Sequence, residues 1–255
     1  MRYLFGFVCV CALGVMPLVG CSDTTGDGGS GGSAGTGGDG GAGGQGGANT
    51  ATITTLVTSW DPEQGTTGSL EGVALCETDT TNCVMTDANG NAVLEVPADQ
   101  EVSYTLDKEG FGSYLEPMVV SADGVAAFGM ATDARFKEMH DGVMSPYPME
   151  GTGSIFIELN DGLAGATFDL PGTAAKAFYW DEDKTWDATL TATTSTAGGG
   201  FVEVSPGEYQ IGIAGTAEHC VVVRGWAGDA DNTVRVAVRE GYLTRARLEC
   251  DEVAP

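Results

Sequence analysis

The chain has 255 residues, 36 acidic and 11 basic side chains, and a formal net charge of -25. Nucleic-acid binding needs clustered lysine and arginine, so this charge excludes it as the default function. Forty glycines against nine prolines are too many for one uniform globular domain and indicate that part of the chain is unfolded. Two histidines leave little room for a histidine-based metal or catalytic site.

The first twenty residues have the pattern of an export signal. Arg2 supplies a positive charge, and the apolar run from Tyr3 to Leu18 is too short for a membrane-spanning helix. Residues 18–21 read Leu-Val-Gly-Cys, which resembles the lipobox of bacterial lipoproteins. The resemblance implies a lipoprotein signal peptide over 1–20, cleavage before Cys21, and lipidation of the thiol and new amino terminus of Cys21.

The lipid implied at Cys21 would hold the protein on a membrane. Several acyl chains, palmitate among them, make the anchorage stable because each buried methylene contributes about 0.8 kcal/mol. Ser22 rather than aspartate follows the cysteine, which by analogy with the enterobacterial sorting rule implies the outer membrane. We expect the body to be surface-exposed or to face the periplasm.

Residues 21–50 are predicted to form a disordered tether that starts at the lipidated cysteine. Positions 26–47 contain fourteen glycines in twenty-two residues and offer nothing to bury. A random coil over 22–50 has an r.m.s. reach of roughly 30 Å, which would carry the folded body clear of the lipid headgroups.

Four cysteines remain in the body: Cys76, Cys83, Cys220 and Cys250. An even number in an exported chain indicates two disulfides, although four cysteines allow three pairings. We favour Cys76–Cys83 and Cys220–Cys250, because each pair then falls within one proposed domain. A metal site is the alternative, but the chain has no Cys-x-x-Cys and no neighbouring histidine at ligand spacing.

From Thr50 onward, short alternating stretches separated by glycine, asparagine, aspartate and proline predict β-strands. The same order of elements occurs twice. Strand pairs joined by a proline-containing turn lie within 92–106 and 201–213, and matching upstream stretches lie at 70–75 and 163–168. This shared order indicates an internal duplication.

The first copy resembles the carboxypeptidase regulatory-like domain. Residues 66–120 carry a Gly-Val strand, the segment from Thr86 to Ala92, a proline turn and a tyrosine-containing strand in that order; residues 151–250 carry the likeness more loosely. The resemblance implies a prealbumin-like (transthyretin-like) β-sandwich, and many short half-buried strands predict a sandwich independently. The predicted fold class is all-β, with two tandem prealbumin-like or Ig-like modules over 51–132 and 151–255.

A connector over 133–150 is predicted between the modules. Thr132 to Val143 has the only helical pattern of the body, with Asp133 as its expected cap. Phe136 and Met139 would share one face and pack against a sheet.

Catalytic motifs are missing from the sequence. His140 is followed by Asp-Gly-Val rather than the His-x-x-Glu of zinc carboxypeptidases, so the resemblance is to the accessory domain and implies no peptidase activity. Residues 251–255 lack the Tyr-Arg-Gly-Ser of transthyretin-like hydroxyisourate hydrolases. We expect no enzymatic activity, no catalytic residues and no cofactor.

Tyr179, Trp180, Trp186 and Trp226 are the candidate ligand-binding residues. The acidic residues beside Trp180 and Trp186 suit exposed loops, where the rings would form a platform for sugar rings. The alternative, which we favour, is that these rings cover the open end of a sandwich, since aromatic residues dominate cores.

Calcium is a second candidate chemistry, because hard cations need clustered oxygen ligands. Asp229, Asp231 and Asn232 form one weak candidate loop, and residues 181–183 and 87–89 form two others. No loop has the EF-hand pattern, and acidic loops are usually solvated.

The last two predicted strands carry Arg235, Arg239, Arg245 and Arg247. With a turn at 240–241, the four side chains would lie on one face of a hairpin. Such a stripe either binds polyanionic envelope glycans or pairs with acids on neighbouring strands, and the excess of acidic residues favours pairing.

The leading functional hypothesis is a non-enzymatic, lipid-anchored envelope protein that presents β-sandwich modules for interaction or structural support. Its partner would be an envelope protein or glycan, and its like charges predict a monomer. The alternative is a carbohydrate-binding module that uses exposed tyrosine and tryptophan. An accessory protein of an uncharacterised hydrolase is the third hypothesis.

Overall fold

The body of the chain is built from packed β-sheets in a computed structural model that describes residues 49–61, 65–160 and 162–252. The signal peptide over 1–20, the lipidation site Cys21 and the tether up to residue 48 lie outside the described residues. All described residues belong to one compact unit, Gly46–Pro255. Within them, no helix has the length and apolar composition needed to cross a membrane.

Strands account for nearly all regular structure in the described residues, which confirms the predicted all-β fold class. The strands of the first half are β1 (Thr50–Asp61), β2 (Gly65–Ser69), β3 (Ala74–Glu77), β4 (Cys83–Met85), β5 (Asn91–Pro97), β6 (Glu101–Asp107), β7 (Ser113–Val119) and β8 (Gly124–Met130). The helix α1 (Asp133–Gly142) follows. The strands of the second half are β9 (Gly153–Glu158), β10 (Ala166–Asp169), β11 (Lys176–Trp180), β12 (Trp186–Asp187), β13 (Gly198–Val204), β14 (Gly207–Gly215), β15 (Ala217–Arg224), β16 (Trp226–Ala227), β17 (Thr233–Val238) and β18 (Tyr242–Glu252).

Three sheets form two sandwiches that share a layer. In the first sheet β1 pairs with β2, β5 and β8, and the second has the order β10-β14-β17-β16. The third sheet has ten strands in the order β12-β11-β13-β9-β18-β7-β6-β3-β4, with β15 also paired to β18. This shared sheet packs against the first sheet at one end and against the second at the other.

Alternating burial along the strands builds two hydrophobic cores. In the first, Tyr104 of the shared sheet meets Phe128 of β8 edge-on, with ring centroids 5.7 Å apart. The second contains Ile157 of the shared sheet together with Ile211 and Val236 of the facing sheet. Apolar area removed from water is the main stabilising contribution in both, at about 25 cal/mol per Å².

The middle of the shared sheet belongs to both cores. Strand β18 runs parallel to β7 on one side and to β9 on the other. On β9, Ile155 and Ile157 enter the second core, whereas Phe156 between them enters the first. The halves therefore share a sheet rather than being joined only through the connector, and the limits 51–132 and 151–255 stay a prediction.

Strand pairing repeats between the two halves. β1 pairs antiparallel with β5 and parallel with β8, and β9 pairs in the same senses with β13 and β18. In the opposite layer β6 pairs antiparallel with β3 and β7, and β14 does so with β10 and β17. These four pairings recur in each half in the order that the sequence duplication predicts.

A buried threonine marks the first copy of the repeat. The Thr86 hydroxyl accepts a hydrogen bond from Val73 N (2.9 Å) and donates one to Leu70 O (2.6 Å). Its backbone N–H donates to Val73 O, and its carbonyl accepts from Gly72 N, both at 3.0 Å. Gly72 has φ +71°, a conformation that glycine adopts without steric cost.

The second copy has the same four hydrogen bonds. The Thr193 hydroxyl accepts from Ala166 N (2.9 Å) and donates to Leu163 O (2.7 Å). Its backbone N–H and carbonyl pair with Ala166 O and Gly165 N, each at 2.8 Å. Because the two threonines are separated from their partner stretches by different chain lengths, the correspondence lies in the fold and is invisible to a fixed-period alignment.

The predicted strand pairs at 92–106 and 201–213 are present, but their turns cross between layers. β5 pairs with β1 in the first sheet, whereas β6 pairs with β3 and β7 in the shared sheet. β13 and β14 likewise lie in different sheets.

Helix α1 is present within the predicted range, but its cap is Thr132, not Asp133. The Thr132 side chain accepts a hydrogen bond from a backbone N–H of the first turn, as N-cap residues do. Asp133 instead accepts from the Tyr147 hydroxyl at 2.7 Å. Phe136 and Met139 are buried in the first core, which confirms that the helix packs against the sheets.

Both predicted disulfides are present. Cys76–Cys83 closes the hairpin of β3 and β4, with the Cα atoms 4.1 Å apart. Cys220–Cys250 links β15 to β18, with the Cα atoms 3.9 Å apart.

Candidate functional site

The exposed aromatic platform, the less favoured of the two interpretations of the sequence, is wrong, because all four of its rings are buried. Tyr179, Trp180, Trp186 and Trp226 are 3%, 7%, 2% and 6% exposed. The alternative that placed them in the core is the correct one.

The acidic residues beside the tryptophans belong to a turn. Trp180 and Trp186 are paired across the β11–β12 hairpin. The Asp181 carboxylate accepts hydrogen bonds from Asp183 N (3.0 Å) and Thr185 N (2.8 Å). These acids therefore shape the turn while the rings point inward, since aspartate commonly bonds the backbone two residues on.

Trp186 lies in an aromatic cluster with His140. Its ring stacks on Phe178 at 4.0 Å and lies 5.1 Å from the imidazole. His140 is fully buried, and neither of its ring nitrogens has a hydrogen-bond partner among the described residues. Burial lowers the pKa of His140 to about 4, although the nearby Asp141 and Glu203 carboxylates oppose this shift.

The remaining two aromatics have structural contacts. Tyr179 stacks on Phe168 at 5.4 Å, and its hydroxyl oxygen accepts from Phe168 N at 3.1 Å. Trp226 donates from Nε1 to Val102 O at 3.0 Å, so it ties the second half to the first.

The calcium candidates lie at or near the surface, and the side chains of Asn232 and Asp87 have backbone partners. Asn232 accepts from Cys220 N through its side-chain oxygen at 2.9 Å, while Asp229 and Asp231 are exposed. The backbone amides of Asn91 and Asn89 hold the pKa of Asp87 below its usual value. Over 49–61, 65–160 and 162–252, no group of three or more His, Cys, Asp or Glu side chains is placed to hold a metal ion. Calcium binding stays a prediction.

The predicted arginine hairpin is wrong, because the turn at 240–241 crosses between layers. Arg235 and Arg239 lie on or just after β17 in the second sheet, whereas Arg245 and Arg247 lie on β18 in the shared sheet. The side-chain alternation is as predicted, but the two strands do not share a face.

Pairing with acids, which the sequence favours, is confirmed for Arg235 and Arg239. Arg235 contacts Glu101, and Arg239 contacts Asp79. Both acids belong to the first half, so these ion pairs join the two halves.

Arg245 and Arg247 lie in a cleft of about 240 Å³ in which aromatic and cationic side chains meet. The cleft takes residues from both halves of the chain. Its charged and aromatic lining comprises Trp60, Tyr114, Phe156, Glu158, Trp180, Lys184, Arg224, Arg245 and Arg247.

A buried carboxylate holds two of these arginines. Glu116 on β7 is fully buried; its carboxylate contacts Arg245 and lies 3.2 Å from Arg224 Nε. Arg245 also donates from Nη1 to Gly129 O at 2.8 Å. The side chains of Arg224 and Arg245 are only 19% and 13% exposed, so their orientation is set by these contacts.

Aromatic faces support the same arginines. The Arg245 guanidinium lies 4.4 Å from the ring centroid of Tyr114 and 5.5 Å from that of Phe128, while Arg224 lies 5.1 Å from Phe128. Cation–π contacts of partly buried groups contribute about 0.5–2 kcal/mol. Burial raises the pKa of Tyr114 to about 12, so its hydroxyl stays neutral at physiological pH.

The outer cations of the cleft are less tightly paired. Arg247 has Glu249 as its nearest carboxylate at 3.8 Å, and the Arg247 side chain is 42% exposed. In the described part of the chain, Lys184 makes no salt bridge and lies 5.7 Å from the ring centroid of Trp180. Glu158 is the one carboxylate in the described lining.

Two stacked tryptophans form the apolar wall of the cleft. Trp60 and Trp180 are nearly parallel, with an interplanar angle of 15° and ring centroids 6.2 Å apart. Phe156 supports Trp180 from 4.4 Å. A Cβ at Gly129 would lie 2.8 Å from Trp60 Cβ, so the close approach of β8 to this wall needs glycine.

This cleft can bind an anion beside a ring, because preoriented guanidinium groups match oxyanions and indole faces accept flat apolar surfaces. The sequence prediction missed Trp60, Glu116 and Glu158. Glu116 carries a detectable signal, since it is the one charged residue of the strand Ser113–Val119. The pairing across sheets that brings Trp60 to Trp180 leaves no local signal.

No protein family matches the sequence, and no curated protein does. Among solved structures, a type II cohesin–X-dockerin complex from Acetivibrio cellulolyticus is 15% identical over 32% of this chain, which spans 58% of that chain, with a TM-score of 0.28. The minor pilin of Streptococcus agalactiae is 13% identical over 80% of this chain and 97% of its own, with a TM-score of 0.28. A variant shaft pilin of Lactobacillus rhamnosus GG is 10% identical over 81% and 100%, with a TM-score of 0.25. These similarities assign the chain neither a family nor a function.

Proposed function

We propose that this protein is a non-enzymatic, lipid-anchored envelope protein whose β-sandwich body is presented for interaction or structural support. Lipidation at Cys21 and the glycine-rich tether would hold the body near, but clear of, the outer membrane. An envelope protein or glycan would be its partner.

The observation that carries this proposal is the sheet common to both cores. A strand buried on both faces, such as β9, cannot move without disturbing both sandwiches. The disulfide within each half and the ion pairs between the halves restrict movement of the body further. A stiff body of this kind suits presentation of a surface at a distance from the membrane.

The kinship of each half with carboxypeptidase regulatory-like domains is part of the proposal. Its support is the repeated strand order and the hydrogen-bond pattern shared by Thr86 and Thr193. Such domains accompany enzymes without catalysing the reaction, which agrees with a role in presentation.

Protease treatment of intact cells tests the proposal. We expect the body to be released from cells that express the wild-type protein, either directly or once the outer membrane is opened. Release at the first step places the body outside the cell, and release at the second places it in the periplasm. A purified body that hydrolyses a peptide or glycoside, with one point substitution abolishing the activity, would contradict the proposal.

Carbohydrate binding is the second candidate function, and the cleft at Trp60 and Trp180 is the observation that favours it. This site replaces the exposed platform, which is the less favoured of the two interpretations of the sequence.

A further inference from the structure

We propose that the cleft lined by Trp60, Trp180, Lys184, Arg224, Arg245 and Arg247 binds one unit of an acidic glycan, a sugar ring that carries a carboxylate. This inference deepens the proposed function by naming the ligand class of its interaction surface. It also locates the site, which includes three residues that the sequence analysis does not single out: Trp60, Lys184 and Arg224.

The basic residues of the cleft favour an anionic ligand. Four of the 11 basic residues of a chain with net charge -25 line this one small cleft. Glu158 is the one carboxylate in the described lining, and the fully buried Glu116 contacts Arg224 and Arg245. Glu249 lies 3.8 Å from Arg247. A cationic cleft on a strongly acidic body concentrates an anionic ligand at this position while the rest of the surface repels it.

The arginine side chains of the cleft are already oriented before a ligand binds. Arg224 and Arg245 are oriented by Glu116, by backbone carbonyls and by aromatic faces. Arg247 Nε is buried and has no hydrogen-bond partner in the described structure. Guanidinium groups with spare donors bind carboxylates in a planar, often bidentate geometry, and a fixed side chain loses little entropy when it does so.

The tryptophan wall favours a ligand that has a flat apolar face. Trp60 is half-buried, is stacked on Trp180 and lines the cleft together with the cations. A pyranose ring has an apolar C–H face that packs on indole and hydroxyl groups that point away from it. A ring with its carboxylate on the edge therefore satisfies wall and cations together.

The size of the cleft limits how much of the glycan enters. Its volume of about 240 Å³ lies below the roughly 300–1,000 Å³ of sites for drug-sized ligands. We infer that a single acidic residue occupies it while the rest of the chain stays in solvent.

Titration calorimetry of the full-length protein in detergent, with oligomers of galacturonic acid as the probe, tests this inference. Oligomers of galactose are the neutral control, and dextran sulfate tests whether any oxyanion suffices. We expect the galacturonic acid oligomers to bind at least ten times more tightly than the galactose oligomers and more tightly per acidic unit than dextran sulfate. Equal affinity for the charged and neutral oligomers, preferred binding of dextran sulfate, or no binding of the uronate would overturn the inference.

A matched pair of arginines controls for net charge. Arg247→Gln removes a cleft cation whose side chain is 42% exposed, and Arg239→Gln removes a cation outside the cleft that is 41% exposed. We expect substitution at these exposed positions to leave the fold intact, and circular dichroism of both variants checks this. We expect Arg247→Gln to weaken uronate binding about tenfold and Arg239→Gln to leave it within twofold. Equal weakening by both would mean non-specific attraction and would overturn the site. Protease treatment of cells reports separately on presentation, so failure of one proposal does not imply failure of the other.

Discussion

The buried threonines offer a test of the structural repeat. Each hydroxyl, in Thr86 and in Thr193, accepts from one backbone N–H and donates to one backbone carbonyl, and both residues are at most 5% exposed. Valine has the shape of threonine without the hydroxyl. Thr86→Val and Thr193→Val therefore remove two hydrogen bonds each while keeping the packing.

The expected cost follows from these contacts. An unsatisfied buried N–H costs about 1–3 kcal/mol, and loss of the bond to the carbonyl adds about 1 kcal/mol. We expect each valine variant to lower the free energy of unfolding by about 2–4 kcal/mol. Thr86→Ser and Thr193→Ser keep the hydroxyl and remove one methyl, which costs about 1 kcal/mol.

Urea unfolding followed by tryptophan fluorescence measures all four variants. The hydroxyl accounts for the effect if valine destabilises more than serine at both positions, and by similar amounts in the two halves. Valine variants as stable as the serine variants would refute the assignment of these hydrogen bonds. A loss at only one position would refute the equivalence of the two halves.

Two further predictions concern stability. The unfolded state binds a proton at His140 near pH 6.5, whereas burial lowers the folded-state pKa to about 4, so stability falls as the pH drops from 6.5 towards 4. The loss approaches about 3 kcal/mol at about 1.4 kcal/mol per pH unit, and urea unfolding of His140→Phe is expected to show a correspondingly shallower acid dependence than the wild type. Removal of the Cys220–Cys250 disulfide, with a sequence separation of 30, is expected to cost about 3.5 kcal/mol, against about 2.5 kcal/mol for Cys76–Cys83 with a separation of 7. Thermal unfolding of the paired Cys→Ala variants checks this order, and a larger loss for the shorter loop would contradict it.

Local pattern predicts the strands of this protein well. Period-two burial in β5 and β17 follows the alternation of apolar and polar residues in the sequence. The disulfides were predictable for a related reason, because each links strands that lie near one another within one half. The strands and the disulfides are therefore predictable from residues that lie close together along the chain.

Pairing between strands is harder to predict, because a turn between two strands has the same composition whether it closes a hairpin or crosses between layers. The turn at 240–241 is such a case. It crosses between layers, so Arg239 and Arg245 lie in different layers. The same ambiguity hides the contact between Trp60 and Trp180, which comes from distant parts of the chain. Most of the lining of the cleft is therefore brought together by strand topology.

Burial of the aromatics was predictable as one of two alternatives. Acidic neighbours indicate an exposed segment, and the turn after Trp180 is indeed exposed. Side chains in strands alternate between faces, however, so an exposed turn does not expose the rings beside it. Trp186 is buried because removing its large apolar surface from water stabilises the folded state.

Membrane fractionation of wild-type and Cys21→Ser protein, grown with a clickable palmitate analogue, measures whether Cys21 carries lipid and holds the body at the membrane. We expect wild-type protein to carry the label and to sediment with the outer membrane, whereas Cys21→Ser is unlabelled and not held there. Unlabelled wild-type protein that fractionates as the variant does would refute the lipid anchor.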